Sequence, residues 1–160
     1  MEGTEWLMVS PRQPAMVRIF RILVQEEIHW SQDGERMRKT RCEGPGCAKC
    51  AEGERRQTRW TLGVIDRADG KPKLMQVGAQ LMSQITEFAT GSNPMRIFAV
   101  LGRKRLRNPE NYDFTISREG EGRFGRYRIT HHERKPLTKG EQSRVIDFLA
   151  DIAGQAIKTK

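Results

Sequence analysis

The stretch HWSQDGERMRKTRCEGPGCAKC, residues 29–50, is the most informative part of this chain for its fold. It places one histidine and all three cysteines of the protein in the spacing His29-x12-Cys42-x4-Cys47-x2-Cys50. Imidazole and thiolate groups are ligands that zinc prefers, and four of them complete its tetrahedral shell. Because no position remains for water or substrate, we expect one structural Zn²⁺ that organises a loop.

The residues around the Cys47–Cys50 pair favour this interpretation. The sequence Gly-Pro-Gly just before Cys47 permits the tight turn that brings two sulfurs to one ion. The alternative is free thiols, or one disulfide with a cysteine left over, which an odd and clustered set disfavours. His29 is the more distant ligand, and it could instead be a packed ring on a strand.

Length and composition limit the class of protein. The 160 residues, 36% of them hydrophobic, are enough for one domain, or for one domain with a small zinc lobe. The sequence has neither a long apolar run nor a basic and then hydrophobic N-terminus, so we expect no membrane span, no secretory signal and a cytosolic location. The 29 Lys and Arg against 20 Asp and Glu give a net charge of +9, which favours a polyanionic partner.

The positive charge is concentrated in three clusters, the first of which surrounds the zinc ligands. The clusters comprise Arg36, Arg38, Lys39, Arg41, Lys49, Arg55, Arg56 and Arg59; Arg103, Lys104, Arg105 and Arg107; and Arg118, Arg123, Arg126 and Arg128. In the third cluster Arg126 and Arg128 alternate with Tyr127 and Ile129, so that one strand face packs and the other can meet phosphate. Each cluster could also be a solvated surface.

Hydrophobic periodicity predicts a mainly β protein with two helices. Strands are predicted at 16–25, 58–66, 73–77, 95–101, 112–117 and 124–129. An amphipathic helix is predicted at 78–90, and Thr138-Lys-Gly-Glu141 resembles a capping box that opens a second helix. The predicted organisation is an N-terminal arm at 1–15, a core at 16–135 with the zinc lobe at about 29–54, and the C-terminal amphipathic helix at 136–160.

Short strands with one helix between them, and basic and aromatic residues on exposed faces, suit a partly open barrel such as the OB-fold. We therefore predict an OB-fold-like barrel with an inserted zinc-binding subdomain. Such sheets bind single strands, because bases stack on aromatic rings while phosphates follow a basic groove. A duplex reader would instead need a recognition helix with a basic face, which neither predicted helix has.

Four blocks follow one another in the central part of the chain. They are His29-x12-Cys42, Cys47-x2-Cys50, Arg55-Arg56-Gln57-Thr58-Arg59-Trp60 and, after a strand pair, Val77-Gly78-Ala79-Gln80-Leu81-Met82-Ser83-Gln84-Ile85. This succession resembles the zinc-containing single-stranded DNA-binding proteins of tailed phages, of the helix-destabilising class, over about residues 16–130. The resemblance implies an OB-fold that coats DNA during replication, recombination or repair in the cytoplasm of a phage-infected bacterium.

The resemblance also implies roles for individual residues. It implies zinc on His29, Cys42, Cys47 and Cys50, and DNA contacts from Arg55, Arg56, Arg59 and Trp60. From charge and pattern we add Arg38, Arg41, Arg103, Arg105, Tyr112, Phe114, Arg126 and Arg128. Tyr112 and Phe114 could equally belong to the core.

The expected partners are single-stranded DNA and replication or recombination proteins, and the C-terminal helix could either pack on the barrel or join two copies in a homodimer. An RNA-binding or transcription-regulating zinc module is the main alternative, because DNA and RNA single strands share bases and phosphates. Enzymatic activity is not expected, because a catalytic zinc needs an open coordination position.

Overall fold

A computed structural model describes residues 4–90, 108–120 and 126–158, and it shows a mainly β protein. The strands are β1 (Ala15–Asp33), β2 (Arg36–Arg41), β3 (Arg56–Asp66), β4 (Lys71–Val77), β5 (Tyr112–Glu119) and β6 (Arg126–Arg134). The helices are α1 (Ala48–Ala51), α2 (Ala79–Thr90) and α3 (Lys139–Lys158), with a 3₁₀ turn at Pro109–Asn111. The two predicted helices correspond to α2 and α3, whereas α1 is a single turn that the sequence pattern did not indicate.

The six strands form one antiparallel sheet in the order β4-β3-β1-β5-β6, with β2 added to the far end of β1. β1 is central: it pairs with β3 along most of its length, with β5 over Ala15–Arg18 and with β2 over Ile28–Asp33. Register shifts in its pairing with β3, at Ile19/Arg21 and Ile22/Val24, bend this strand. Among the described residues β4 and β6 do not pair, so the sheet is not closed.

One face of the sheet carries the main core, and α2 covers it. The buried residues there include Val17 and Ile19 of β1, Leu62 and Val64 of β3, Phe114 and Ile116 of β5, and Leu81, Met82, Ile85 and Phe88 of α2. The apolar stripe predicted for α2 is therefore confirmed as core. Burial of these side chains is the largest favourable contribution to the fold.

The other side of the sheet receives α3. The Phe20 ring lies so close to Gly63 that a Cβ on this glycine would stand 2.4 Å from the ring. Phe20 in turn meets Phe148 of α3 edge-on, with ring centroids 5.9 Å apart. Arg144 of α3 also donates a 2.7 Å hydrogen bond to the Gly70 carbonyl, so α3 docks on the sheet of its own chain.

The start of α3 confirms the predicted capping box. The Thr138 backbone N–H donates to the Glu141 carboxylate at 3.1 Å, and the Glu141 N–H donates to the Thr138 hydroxyl at 3.2 Å. Each residue thus satisfies a backbone donor of the other, as the motif requires.

A buried ionic network connects α3 to the sheet. Arg18 of β1 is fully buried, and its Nε donates to Asp113 of β5 at 2.8 Å. Arg67, just after β3, donates to the same carboxylate oxygen at 3.1 Å and also contacts Glu141. A buried pair of this kind costs desolvation, and breaking one partner leaves an uncompensated charge.

Some predicted features lie outside the described residues: the strand at 95–101, the cluster with Arg103 and Arg105, and the first two residues of the strand at 124–129. In the N-terminal segment, the Leu7 N–H donates to the Leu74 carbonyl at 2.8 Å, and the Leu74 N–H donates to the Glu5 carbonyl at 2.9 Å. None of the helices in the described part of the chain is long and apolar enough to cross a bilayer.

Candidate metal centre and adjoining basic cleft

Three successive elements bring the four predicted metal ligands together. His29 lies on β1, Cys42 follows β2, and Cys47 and Cys50 lie at and within α1. Their ligand atoms all lie within 4.8 Å of one another. The separations are 3.6 Å from His29 Nε2 to Cys47 Sγ, 3.3 Å to Cys50 Sγ, and 3.5 Å between the Cys42 and Cys50 sulfurs. Ligands about 2.0–2.3 Å from one tetrahedral ion lie roughly 3.5–3.8 Å apart, so the cluster suits a single metal ion.

Glycine conformation makes this short loop possible. Gly44 and Gly46 have φ values of 79° and 92°, which L side chains rarely adopt. The turn between them closes with a 3.0 Å hydrogen bond from the Cys47 N–H to the Gly44 carbonyl. α1 then places Cys50 one turn after Cys47, so both sulfurs face the same centre.

A backbone carbonyl orients the histidine. His29 is fully buried, and its Nδ1 lies 3.2 Å from the Arg55 carbonyl oxygen. Because a carbonyl only accepts, Nδ1 carries the proton and donates it, which leaves the Nε2 lone pair directed at the sulfurs. This is the tautomer that a metal-binding histidine needs, and a partner on the other ring nitrogen is typical of such ligands.

The three thiols lie close enough to alter one another's pKa. Backbone hydrogen bonds at Glu43 and Cys50 lower the pKa of Cys47 to about 6. The neighbouring Cys42 sulfur, together with burial, raises the pKa of Cys50 to about 11. A divalent ion at the centre would compensate all three thiolates, so the donor set fits a metal better than it fits free thiols.

A cleft of about 520 Å³ lies beside the metal centre, where β3 begins. Arg55, Arg56, Arg59 and Trp60 line it, so four of the predicted contact residues share one site. The junction of β4 and α2 forms another wall, at Gly78 to Leu81. A Cβ on Gly78 would stand 2.7 Å from Nη1 of Arg59, so the glycine leaves room for that guanidinium.

Two aromatic rings line this cleft. Trp60 is half-buried against the core, and its indole N–H donates to Gln25 at 3.2 Å. Tyr127 of β6 is likewise half-buried, and the Arg118 guanidinium carbon lies 5.5 Å from its ring centroid. Neither Tyr127 nor Arg118 was among the predicted contact residues. Tyr127 alternates with arginines and was interpreted as part of the packed side of its strand.

A second hollow borders the metal centre and shares one lining residue with the cleft. It has a volume of about 800 Å³ and lies between the Gly44–Cys47 turn and Glu54. Arg56 lines both this hollow and the cleft, so the two are neighbours. The Arg56 side chain is 57% exposed and lies 3.9 Å from the Glu27 carboxylate, a contact that solvent screens strongly.

Four other predicted arginines lie in the described part of the chain, and none of them lines the cleft. Arg38 and Arg41 are exposed on β2, at the end of the sheet next to the metal centre. Arg126 and Arg128 are exposed on β6 and alternate with the half-buried Tyr127 and Ile129, as predicted. They therefore belong to the opposite face of β6 from the cleft.

The two remaining aromatic candidates do not line the cleft, and one of them belongs to the core. Phe114 has no exposed surface, so its ring has no face available to a nucleic-acid base. Tyr112 is half-buried and packs edge-on against Phe88, with ring centroids 5.0 Å apart. Full burial therefore corrects the assignment of Phe114 as a contact, whereas the contact predicted for Tyr112 stays a prediction.

Comparison with known proteins identifies no relative: no family model, no curated protein and no solved structure matches the chain. The resemblance to the phage proteins thus stays a prediction that depends on the spacing of the ligands and on the segment after them.

Proposed function

We propose that the protein binds single-stranded DNA with little sequence specificity, and that it coats and protects transient single strands. The observation that carries this proposal is the cleft, where Arg55, Arg56 and Arg59 adjoin the half-buried rings of Trp60 and Tyr127. Arginines neutralise phosphates, and rings stack on bases of any identity. Such a site therefore suits single strands without preferring a particular base sequence. The net charge of +9 adds long-range attraction for a polyanion.

The sheet topology supports an OB-fold-like barrel that is partly open. Its order β4-β3-β1-β5-β6, with α2 between β4 and β5, is the order expected of that barrel before its last strand pair closes. The zinc lobe then occupies the connection between the first two barrel strands, β1 and β3. OB-folds bind oligonucleotides at this connection, at the second and third strands and at the last hairpin, and the cleft lies among these elements.

We propose Zn²⁺ as the ion of the metal centre. Three thiolates and one imidazole would hold it in a closed tetrahedral shell, which suits a structural role. Bound zinc would supply the free energy that folds the lobe. Metal analysis of purified protein should find one zinc per chain, and Cys47→Ser should lower that content; protein that is folded and free of metal would contradict the assignment.

The binding test is a side-by-side titration of labelled oligo-dT, its RNA counterpart and a duplex of equal length at two salt concentrations. We expect the tightest and most salt-sensitive binding for single-stranded DNA. Equal or tighter RNA binding would replace this proposal with the RNA-binding or regulatory module. Absence of binding to all three would mean that the cleft serves another partner.

A matched pair of variants separates the cleft from overall charge. Replacing Arg55, Arg56 and Arg59 together with alanine should weaken oligo-dT binding strongly. The control replaces Arg12, Arg21 and Arg134, which are exposed elsewhere, and removes the same charge. Equal losses in both variants would show that net charge, and not the cleft, determines affinity.

A further inference from the structure

We infer that Tyr127 is a base-stacking residue of the cleft, and that Gln80 and Gln84 of α2 position it there. This inference rests on the proposed function and assigns contacts within the same site. It starts from the position of Tyr127 on β6, which is an edge strand of the described sheet.

Two glutamines form hydrogen bonds with the backbone N–H and the backbone carbonyl of Tyr127. The Tyr127 N–H donates to the Gln80 side-chain oxygen at 3.1 Å, and its carbonyl accepts from the Gln84 side-chain nitrogen at 2.7 Å. The Gln84 oxygen also accepts from the Ile129 N–H at 2.9 Å. Gln80 and Gln84 are four residues apart, so they project from the same side of α2 and bind one stretch of β6.

The ring of Tyr127 is fixed as well as its backbone. It packs in part against the core, and the Arg118 guanidinium lies near it at 5.5 Å from the ring centroid. A cation at this distance is attracted by the π-system. Because Tyr127 also lines the cleft, part of a ring that these contacts restrain is presented to whatever the cleft binds.

Rigidity favours a binding role over simple packing. A ring that is already ordered loses little side-chain entropy when a base stacks on it, so more of the stacking energy contributes to affinity. Trp60 is restrained by a different contact, the hydrogen bond from its indole N–H to Gln25. The cleft thus holds two ordered rings among arginines, and each ring can receive a base.

The test compares Tyr127→Leu with Tyr127→Phe on two ligands, oligo-dT and an abasic oligonucleotide of the same length. Leucine keeps an apolar side chain against the core but has no flat ring, whereas phenylalanine keeps the ring. Stacking is worth about 1–3 kcal/mol per base, so we expect Tyr127→Leu to bind oligo-dT about tenfold more weakly or worse. Tyr127→Phe should bind it like the unaltered protein.

The abasic ligand identifies what Tyr127 contacts. It keeps the phosphates and lacks the bases, so Tyr127→Leu should bind it as well as the unaltered protein does. Unchanged oligo-dT binding by Tyr127→Leu would overturn the inference, and so would equal losses on both ligands. If the unaltered protein binds neither ligand, the proposed function itself fails, and the inference fails with it.

The positioning role is tested with Gln84→Met, which keeps the length of the side chain and removes both hydrogen bonds. We expect weaker binding to oligo-dT and unchanged binding to the abasic ligand, because only stacking depends on where the ring lies. Loss of binding to both ligands, or to neither, would contradict the role of Gln84.

Discussion

His29 connects the metal centre to the cleft through one hydrogen bond. Its Nε2 faces the sulfurs, while its Nδ1 donates to the carbonyl of Arg55, the first arginine that lines the cleft. The backbone of Arg55 is therefore anchored to the side chain of a candidate metal ligand. A metal that fixes the imidazole would also fix the beginning of the segment 55–60, which lines the cleft.

Trp60 and Arg56 should differ in how salt affects their contributions. Trp60→Ala removes a stacking ring, so it should weaken oligo-dT binding while the slope of log affinity against log salt stays the same. Arg56→Ala should make that slope shallower by about 0.7, because one phosphate contact is lost. Titrations at several salt concentrations measure both slopes, and Arg134→Ala on β6 is the control for Arg56→Ala. Unchanged affinity in both cleft variants would remove this segment from the site.

Gly63→Ala should destabilise the fold, because the added methyl group would meet the Phe20 ring. Overpacking of this kind costs about 1–3 kcal/mol, which denaturant unfolding can measure. Gly154→Ala in α3 is the control, since nothing lies within 4 Å of the added Cβ there. That variant should be neutral or more stable by about 0.5–1 kcal/mol, because alanine favours a helix. Equal effects at both positions would contradict the close contact with Phe20.

At the scale of residues, sequence reasoning could predict ligands more readily than partners in packing. The cluster of His29 and the three cysteines was recognisable from the sequence, because zinc limits both the residue types and the spacing of its ligands. The alternation of Tyr127 with two arginines was also recognisable. Periodicity shows that the two faces of a strand differ, but it does not show which residues or ligands each face contacts. For Phe114 the same alternation could indicate core or contact, and only the position of α2 decides between them.

At the scale of elements, the zinc lobe should depend on its ion more than the rest of the sheet does. With the proposed zinc bound, chelation would remove the free energy that folds residues 29–54, so their amide protons should exchange faster. The pairing of β3 with β4 should keep its protection, because it is part of the main core. Hydrogen exchange with and without a chelator measures this difference, and oligo-dT affinity should fall in parallel. Chelated protein with unchanged exchange and affinity would show that the lobe does not need metal.

The attachment of α3 should weaken in acid. Burial raises the pKa of Glu141, but hydrogen bonds with Thr138 and with the Arg67 guanidinium lower it by more. The pKa of Glu141 therefore lies below its usual value of 4.5. A carboxylate with a lowered folded-state pKa stabilises the fold above its unfolded pKa and loses that contribution as pH falls through the folded value. Glu141→Gln should therefore lower the melting temperature at pH 7, and the difference from the unaltered protein should shrink towards pH 3. A constant difference would exclude this ionic contribution.

Elements with strong local signals were predictable. The capping box fixed the start of α3, and spacings of three and four fixed α2, because both signals are local to the chain. The length of β1 was not predictable, since its continuation through His29 depends on pairing with β2 and β3. The contact between α2 and β6 was equally hidden, because Gln80 and Gln84 look like ordinary exposed glutamines until β6 lies beside them.

At the scale of the whole molecule, the positive charge should make binding strongly dependent on salt. If about four phosphates are neutralised, log affinity for single strands should fall with log salt at a slope of roughly −3. The measurement is a salt series with oligo-dT long enough to fill the cleft. A slope near zero would show that the arginines do not contact phosphates.

The overall architecture was predictable as a class and less so in detail. A mainly β chain with two amphipathic helices follows from period and composition, and the antiparallel sheet agrees with it. The buried network of Arg18, Asp113, Arg67 and Glu141 could not be predicted, because its members come from four separate parts of the chain. No local pattern distinguishes such residues from charges at the surface.

The bonds from α2 to β6 also bear on aggregation. An edge strand offers unpaired N–H and carbonyl groups on which another chain can add a strand of its own. Here Gln80 and Gln84 form hydrogen bonds with the outward N–H and carbonyl of Tyr127 and with the outward N–H of Ile129. A second chain that approached this part of β6 would therefore find three of its backbone groups already paired, which works against a continuous intermolecular sheet there.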